Sequence, residues 1–178
     1  VIEKVSGMTY YDYVASHVFA PAGMTSTASL PEDSGVANRA VGYTRDGPGS
    51  AWVSNVKSLP YRGTSAGGGY STVRDLLRFA TALRQHTLLN AAYSELLIAG
   101  KVDTPNGKYA YGFGDRMVAG MRLVGHSGGA PGMNGDLEID PRSGYVTAVL
   151  SNLDPPAAQS VSEFIVNRLP APAPTPTP

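Results

Sequence analysis

Hydrophobic positions recur along the chain at two different spacings, and the spacing changes near residue 109. Before that point the period is helical. Thr9-x-x-Asp12 is a capping box, and Tyr10, Tyr13, Val14 and Val18 follow at helical intervals, which predicts a helix ended by Pro21. Val1 to Val5 reads as the tail of an earlier helix, stopped at Gly7. Thr72-x-x-Asp75 opens the strongest predicted helix, with Leu76, Phe79, Ala80 and Leu83 on one face. Asn90 caps a shorter one that closes at Gly100. Between Met24 and Thr64 no period is sustained, and a connection of that length suggests a functional or partner-covered loop.

From Tyr109 the period becomes two. YAYGFG, MRLVGH, DLEID and YVTAVLSN read as strands, the last two joined by an Asp140-Pro-Arg-Ser-Gly144 turn. Pro155 and Pro156 break the chain, and Ala157 to Leu169 resumes a helix with Val161, Phe164, Ile165 and Leu169 on one stripe. The order implies an α+β fold, an antiparallel β-sheet flanked by helices. Residues 1–170 are expected to form this unit. Residues 171–178, rich in Pro, Ala and Thr, are expected to be an extended, exposed linker or tail.

One stretch does not fit a plain strand-and-turn reading. LVGHSGGAPGMNGD, residues 123–136, sets five glycines around a histidine and a serine. Glycine costs folding entropy, so this density points to backbone that must approach a ligand closely or adopt positive φ.

Composition narrows the chemistry. At 178 residues and 42% hydrophobic the chain can bury a real core. Its 14 Lys+Arg balance 14 Asp+Glu, so it carries no field to recruit nucleic acid or an anionic membrane. A neutral or zwitterionic small substrate fits better. With no cysteine there is no thiol nucleophile, disulfide or Cys zinc site, and His17, His86 and His126 are scattered, so neither a metal nor a cofactor is expected. No run of about 18 apolar residues occurs, so no direct membrane insertion is expected.

Three segments in order, EKVSGMTYYDYVASHVFAPAGM, AGGGYSTVRDLLRFATAL and GHSGGAPGMNGDLEIDPRSGYVTAVLSN, resemble the C-terminal half of the serine β-lactamase-like hydrolases. That group includes class C β-lactamases, D-Ala-D-Ala carboxypeptidases, D-peptidases and carboxylesterases. The resemblance implies the C-terminal portion of a β-lactamase/transpeptidase-like fold acting on ester, amide or β-lactam bonds. It places His126-Ser127-Gly128 at the family's Lys-Thr-Gly or His-x-Gly triplet. Gly129 then stands where a backbone N–H forms half of an oxyanion hole. His126 and Gly129 are thereby implied in catalysis, and Ser127 and Gly128 in substrate binding. Having His at the triplet's first position leans towards esterase or D-peptidase chemistry.

The family's other two motifs are not matched. No Tyr-x-Asn occurs, and Ser54-Asn-Val-Lys57 is a poor Ser-x-x-Lys, because Pro60 would clash inside a continuing helix and the segment lies between the wrong motifs. The leading expectation is therefore a piece of a serine hydrolase that is inactive alone, partnered by its missing N-terminal half or a second copy of the chain. Three alternatives stay open: one chain of a two-chain enzyme, a non-catalytic binder of cell-wall peptides, and a structural module before a proline linker. Gly67, Gly68 and Gly69 could form an anion site at a helix start, though tight packing of the helix entry explains them better. Arginine-rich basic residues and the proline tail suit an exported bacterial protein, periplasmic or extracellular, at the cell envelope.

Overall fold

A computed structural model describes residues 1–170; the expected linker at 171–178 lies outside them. Five α-helices are present: α1 (Ile2–Ser6), α2 (Tyr10–Val14), α3 (Val73–Arg84), α4 (Ala91–Ile98) and α5 (Ala157–Val166). α2 runs on as one π-helical turn, Ala15–Phe19, before Pro21. A two-stranded ribbon pairs β1 (Tyr43–Thr44) with β2 (Val53–Ser54). The main sheet is an antiparallel meander in sequence order: β3 (Val102–Thr104), β4 (Gly107–Tyr109), β5 (Gly114–Val118), β6 (Met121–Ala130), β7 (Met133–Ile139) and β8 (Val146–Ser151). The α+β architecture is the expected one.

The caps behave as their residue types require. Thr9 accepts the Asp12 N–H at 3.1 Å, Thr72 accepts that of Asp75 at 3.2 Å, and Asn90 accepts that of Tyr93 at 2.9 Å. Asp75 does not close a capping box. It is buried, and its carboxylate takes the Ser26 N–H and the Thr27 hydroxyl and pairs with Arg78, anchoring the irregular segment to α3. α3 sets Ala80 and Leu83 into the main core with Ile98, Phe113, Val124 and Ile139, and Leu137 packs against it from β7.

The opposite sheet face meets α5. Met121 and Leu123 pack there on Val166. The stripe facing the sheet is Ala158, Ser162 and Val166, whereas Val161 and Phe164 stay 48% and 59% exposed and Ile165 is also exposed. Small side chains let the helix lie close to the sheet. The more apolar stripe read from the sequence therefore points away.

Two strand boundaries differ from the reading. YAYGFG is not one strand: β4 ends at Tyr109, the Ala110 N–H bonds the Phe113 carbonyl at 2.7 Å, and Gly112 takes φ +81 before β5 starts. Upstream, the Pro105-Asn106 turn joins a β3–β4 hairpin. MRLVGH, in turn, is only the first part of a ten-residue strand, because the glycines beyond His126 stay in register with β7. The Asp140–Gly144 turn forms as expected, with the Gly144 N–H on the Asp140 carbonyl at 2.9 Å and Gly144 at φ +84.

Ser54 caps a four-residue 3-10 turn, Asn55–Ser58, by accepting the Val56 N–H at 3.3 Å. Leu59 is already extended, so Ser54 and Lys57 do not share an α-helical turn. Gly67 and Gly68 hold φ +138 and +90 in a loop bridged between Thr64 and Gly67, and a Cβ on Gly69 would lie 2.8 Å from the Ser29 hydroxyl. Positive φ explains glycine at 67 and 68, and close packing explains it at Gly69.

Candidate active site

β6 and β7 are joined by Pro131-Gly132, with Gly132 at φ +73, so the reversal needs glycine at its second position. The turn is tied down from outside the sheet. The Gly132 N–H donates to Asp154 at 2.8 Å, and Asn55 donates to the Pro131 carbonyl at 3.0 Å. The Gly132 N–H, with Thr44 and Arg45, holds the Asp154 carboxyl below its usual range.

Pairing along β6 is asymmetric. β5 covers it only as far as Gly114↔Gly125, while β7 pairs with it from Val124 to Ala130. Residues 126–130 therefore have a strand neighbour on one side and an open edge on the other, among the described residues. His126, Ser127, Gly128 and Gly129, the four residues singled out from the sequence, all lie on this edge.

The glycines of the stretch are not equivalent. A Cβ on Gly125 would fall 1.9 Å from the Leu137 carbonyl oxygen and 2.9 Å from the Glu138 carboxylate, and one on Gly129 would fall 2.4 Å from Pro155 Cγ. Close packing demands glycine at both. Gly128 has nothing within 4 Å of its Cβ position, and its φ lies outside the left-handed range. No packing in the described chain requires glycine there.

His126 is exposed at the start of the open edge. Its Nδ1 bonds the Ser127 carbonyl oxygen, its Nε2 lies 3.0 Å from the Tyr109 hydroxyl, and the two rings meet edge to face at 5.9 Å. Ser127 stands opposite Asp136 in the ladder. Asp136 and Glu138 are buried side chains on β7, and burial raises both carboxyls. Arg116 partly offsets this, pairing with Glu138 at 2.6 Å and lowering Asp136 through its charge.

Two residues that the sequence did not single out complete the arrangement. Asn134 on β7 donates to the Gly128 carbonyl at 2.7 Å and accepts the Ala158 N–H at 2.6 Å, fixing the glycine strand to the start of α5. Tyr109 reaches His126 from two strands away. Asn134 alternates with Met133 and Gly135 as a solvent-facing strand residue would, and Tyr109 sits in an ordinary strand pattern, so neither carried a local signal.

A helix-covered antiparallel meander with one glycine-rich, partly unpaired strand is the sheet portion of the serine β-lactamase-like fold. The Beta-lactamase family model matches residues 1–169, and the chain belongs to that family. It is 33% identical over 148 residues to Penicillin-binding protein 4* of Bacillus subtilis, covering 74% of this chain and 32% of that protein. It is 28% identical over 172 residues to Penicillin-binding protein 4 of Amycolatopsis lactamdurans, covering 85% and 44%. Among solved structures, the penicillin-binding protein from Bacillus halodurans matches with TM-score 0.84 and 31% identity, over 93% of this chain and 51% of that one. A D-stereospecific amidohydrolase from Streptomyces shares the fold, with TM-score 0.79 at 22% identity over 97% of this chain and 52% of that one. The chain thus spans less than half of these curated relatives and about half of the solved structures. Among the described residues no helix is long and apolar enough to cross a membrane.

Proposed function

We propose that this chain is the C-terminal half of a hydrolase that cleaves a small ester, amide or D-peptide substrate through an acyl-serine, with nucleophile and base supplied by a segment outside it. The observation that carries the reading is the open edge of β6 at residues 126–130, with an unobstructed Gly128 in its middle. An extended substrate can lie along such an edge as an added strand. A side chain at Gly128 would stand in its way.

The chemistry follows from backbone geometry. The Gly128 carbonyl is engaged by Asn134 on the β7 side. The C=O and N–H of one trans peptide group point in opposite directions, so the N–H of Gly129, in the same peptide as the Gly128 carbonyl, faces the open edge. A fixed N–H there stabilises the negative charge that develops on the substrate carbonyl oxygen as a serine oxygen adds to its carbon. The serine proton passes to the base and then to the leaving group. Water repeats the sequence in reverse to release the acid. His126 binds a substrate carboxylate or assists one of these proton transfers. Ser127 lines the same edge.

The remaining half has a place to attach. Among the described residues β8 pairs with β7 only, and Leu150 on β8 and Val161, Phe164 and Ile165 on α5 are exposed. A preceding half of the domain, or a second chain, completes the sheet there. The similarity to penicillin-binding proteins supports an exported protein of the cell envelope. Joining a segment that bears Ser-x-x-Lys and Tyr-x-Asn tests the reading: hydrolysis of a p-nitrophenyl ester appears only when both parts are present. A folded, joined protein without turnover on esters, amides or D-peptides refutes it.

A further inference from the structure

We propose that Tyr109 is a positioning residue of this site, holding neutral His126 as the Nδ1–H tautomer so that Nε2 remains the proton-accepting nitrogen. The proposal rests on the assignment of His126 to the hydrolytic site.

The argument starts from valence. The Ser127 carbonyl can only accept, so the His126 Nδ1 that bonds it must carry a proton. A neutral imidazole has one such proton, which leaves Nε2 bare. Its partner must then donate, and the Tyr109 hydroxyl at 3.0 Å is a donor. Without such partners, free histidine in water favours the opposite tautomer.

The sheet provides the room for this contact. Tyr109 stands in register with Gly114, and Gly114 with Gly125, so the row between Tyr109 and the start of the open edge carries no side chain. Beside that bare row the Tyr109 ring meets His126 edge to face. Tyr109 remains 40% exposed, so a molecule on the edge can reach its oxygen.

The pair also has a second state. When Nε2 gains a proton its N–H must donate, so Tyr109 becomes the acceptor and its own O–H is released towards the open edge. One proton on His126 therefore turns Tyr109 into a donor for whatever lies along β6. Asp136 and Glu138 on β7 feel the imidazole charge, which lowers both carboxyls as Arg116 on β5 does.

Long-range proton–nitrogen NMR on the chain itself reads the tautomer directly, at a pH where the imidazoles are neutral. His126 is assigned by the loss of its signals in His126→Gln. Its neutral ring should be mainly Nδ1–H in the parent, and the Nδ1–H share should fall measurably in Tyr109→Phe, where only the Ser127 carbonyl still favours that tautomer, with an unchanged melting temperature. In the joined, active protein Tyr109→Phe should lower kcat roughly 10-fold, leave KM within about twofold and move one limb of the pH–rate profile. An identical tautomer in parent and variant, while His126→Gln still abolishes hydrolysis, overturns the role of Tyr109 alone. Hydrolysis indifferent to His126→Gln overturns the hydrolytic assignment, and this proposal with it.

Discussion

The side chain of Asn134 joins the carbonyl of Gly128, 2.7 Å away, to the first turn of α5, whose Ala158 N–H it accepts at 2.6 Å. At 4% exposure it has no water to replace either partner. Asn134→Ala should lower stability by about 1 to 3 kcal/mol, the cost of leaving the buried Ala158 N–H unsatisfied. Asn134→Asp should do no better, because it keeps the acceptor for Ala158 but sets a carboxylate against the Gly128 carbonyl. Urea unfolding measures both. A loss below about 0.5 kcal/mol for Asn134→Ala, the range of ordinary surface changes, contradicts the bridging role.

The glycines of β6 should separate into two groups. Gly125→Ala meets the Leu137 carbonyl at 1.9 Å and Gly129→Ala meets Pro155 at 2.4 Å, so each should cost about 1 to 3 kcal/mol or more. Gly128→Ala meets nothing within 4 Å and should stay within about 0.5 kcal/mol of the parent. Melting curves of the three variants give the comparison. Equal destabilisation by all three would mean that packing alone explains the run of glycines.

Burial raises both Asp136 and Glu138, and the sign of the resulting pH dependence is fixed by linkage. A carboxyl whose folded value exceeds its unfolded one keeps its proton longer in the native state. Its contribution is fully present below the unfolded value, about 4, and is lost as pH rises through the folded value. Asp75, Asp115 and Asp154 are shifted down, so what they contribute is lost only as pH falls below the ordinary carboxylate range. Asp136→Asn should therefore raise the melting temperature at neutral pH and flatten the decline above about pH 4. An unchanged slope in thermal scans across that window counts against a buried, destabilising Asp136.

β7 shows why part of this arrangement was not legible beforehand. Asn134, Asp136 and Glu138 alternate with Met133, Gly135, Leu137 and Ile139, which reads as one wet face and one dry face. All three polar residues are instead buried, the Asn134 and Asp136 side chains meeting Ala158 and Ser162 of α5. α5 repeats the point: its apolar stripe faces out and its small stripe faces in, because close approach to the sheet selects size rather than hydrophobicity. Helix starts at Thr9, Thr72 and Asn90 were legible because capping is local chemistry. The His126–Gly129 edge was legible through family resemblance, but its openness depends on where β5 stops, and the Tyr109 contact on a register two strands away. No local pattern encodes either.

The edge of β8, unpaired among the described residues, should make the isolated chain self-associate, since open strand edges recruit other strands. Leu150→Lys, on that strand and 44% exposed, should shift the population towards monomer. Sedimentation velocity over a wide concentration range follows both proteins. A parent chain that stays monomeric throughout removes the argument.

The measurement that bears most directly on the central claim is the turnover of Gly128→Val after joining to a segment bearing Ser-x-x-Lys and Tyr-x-Asn. The chain alone should hydrolyse neither p-nitrophenyl esters nor a chromogenic cephalosporin, and a fluorophosphonate should label none of its serines, Ser54 included. The joined parent should turn over and take the label at the supplied serine. Gly128→Val should keep the parental fold and melting behaviour, since the space beside it is open, yet lose about 10²-fold or more in kcat/KM as its side chain blocks the edge that aligns the substrate. A joined Gly128→Val protein with the parent's kcat/KM would contradict the claim that substrate lies along residues 126–130.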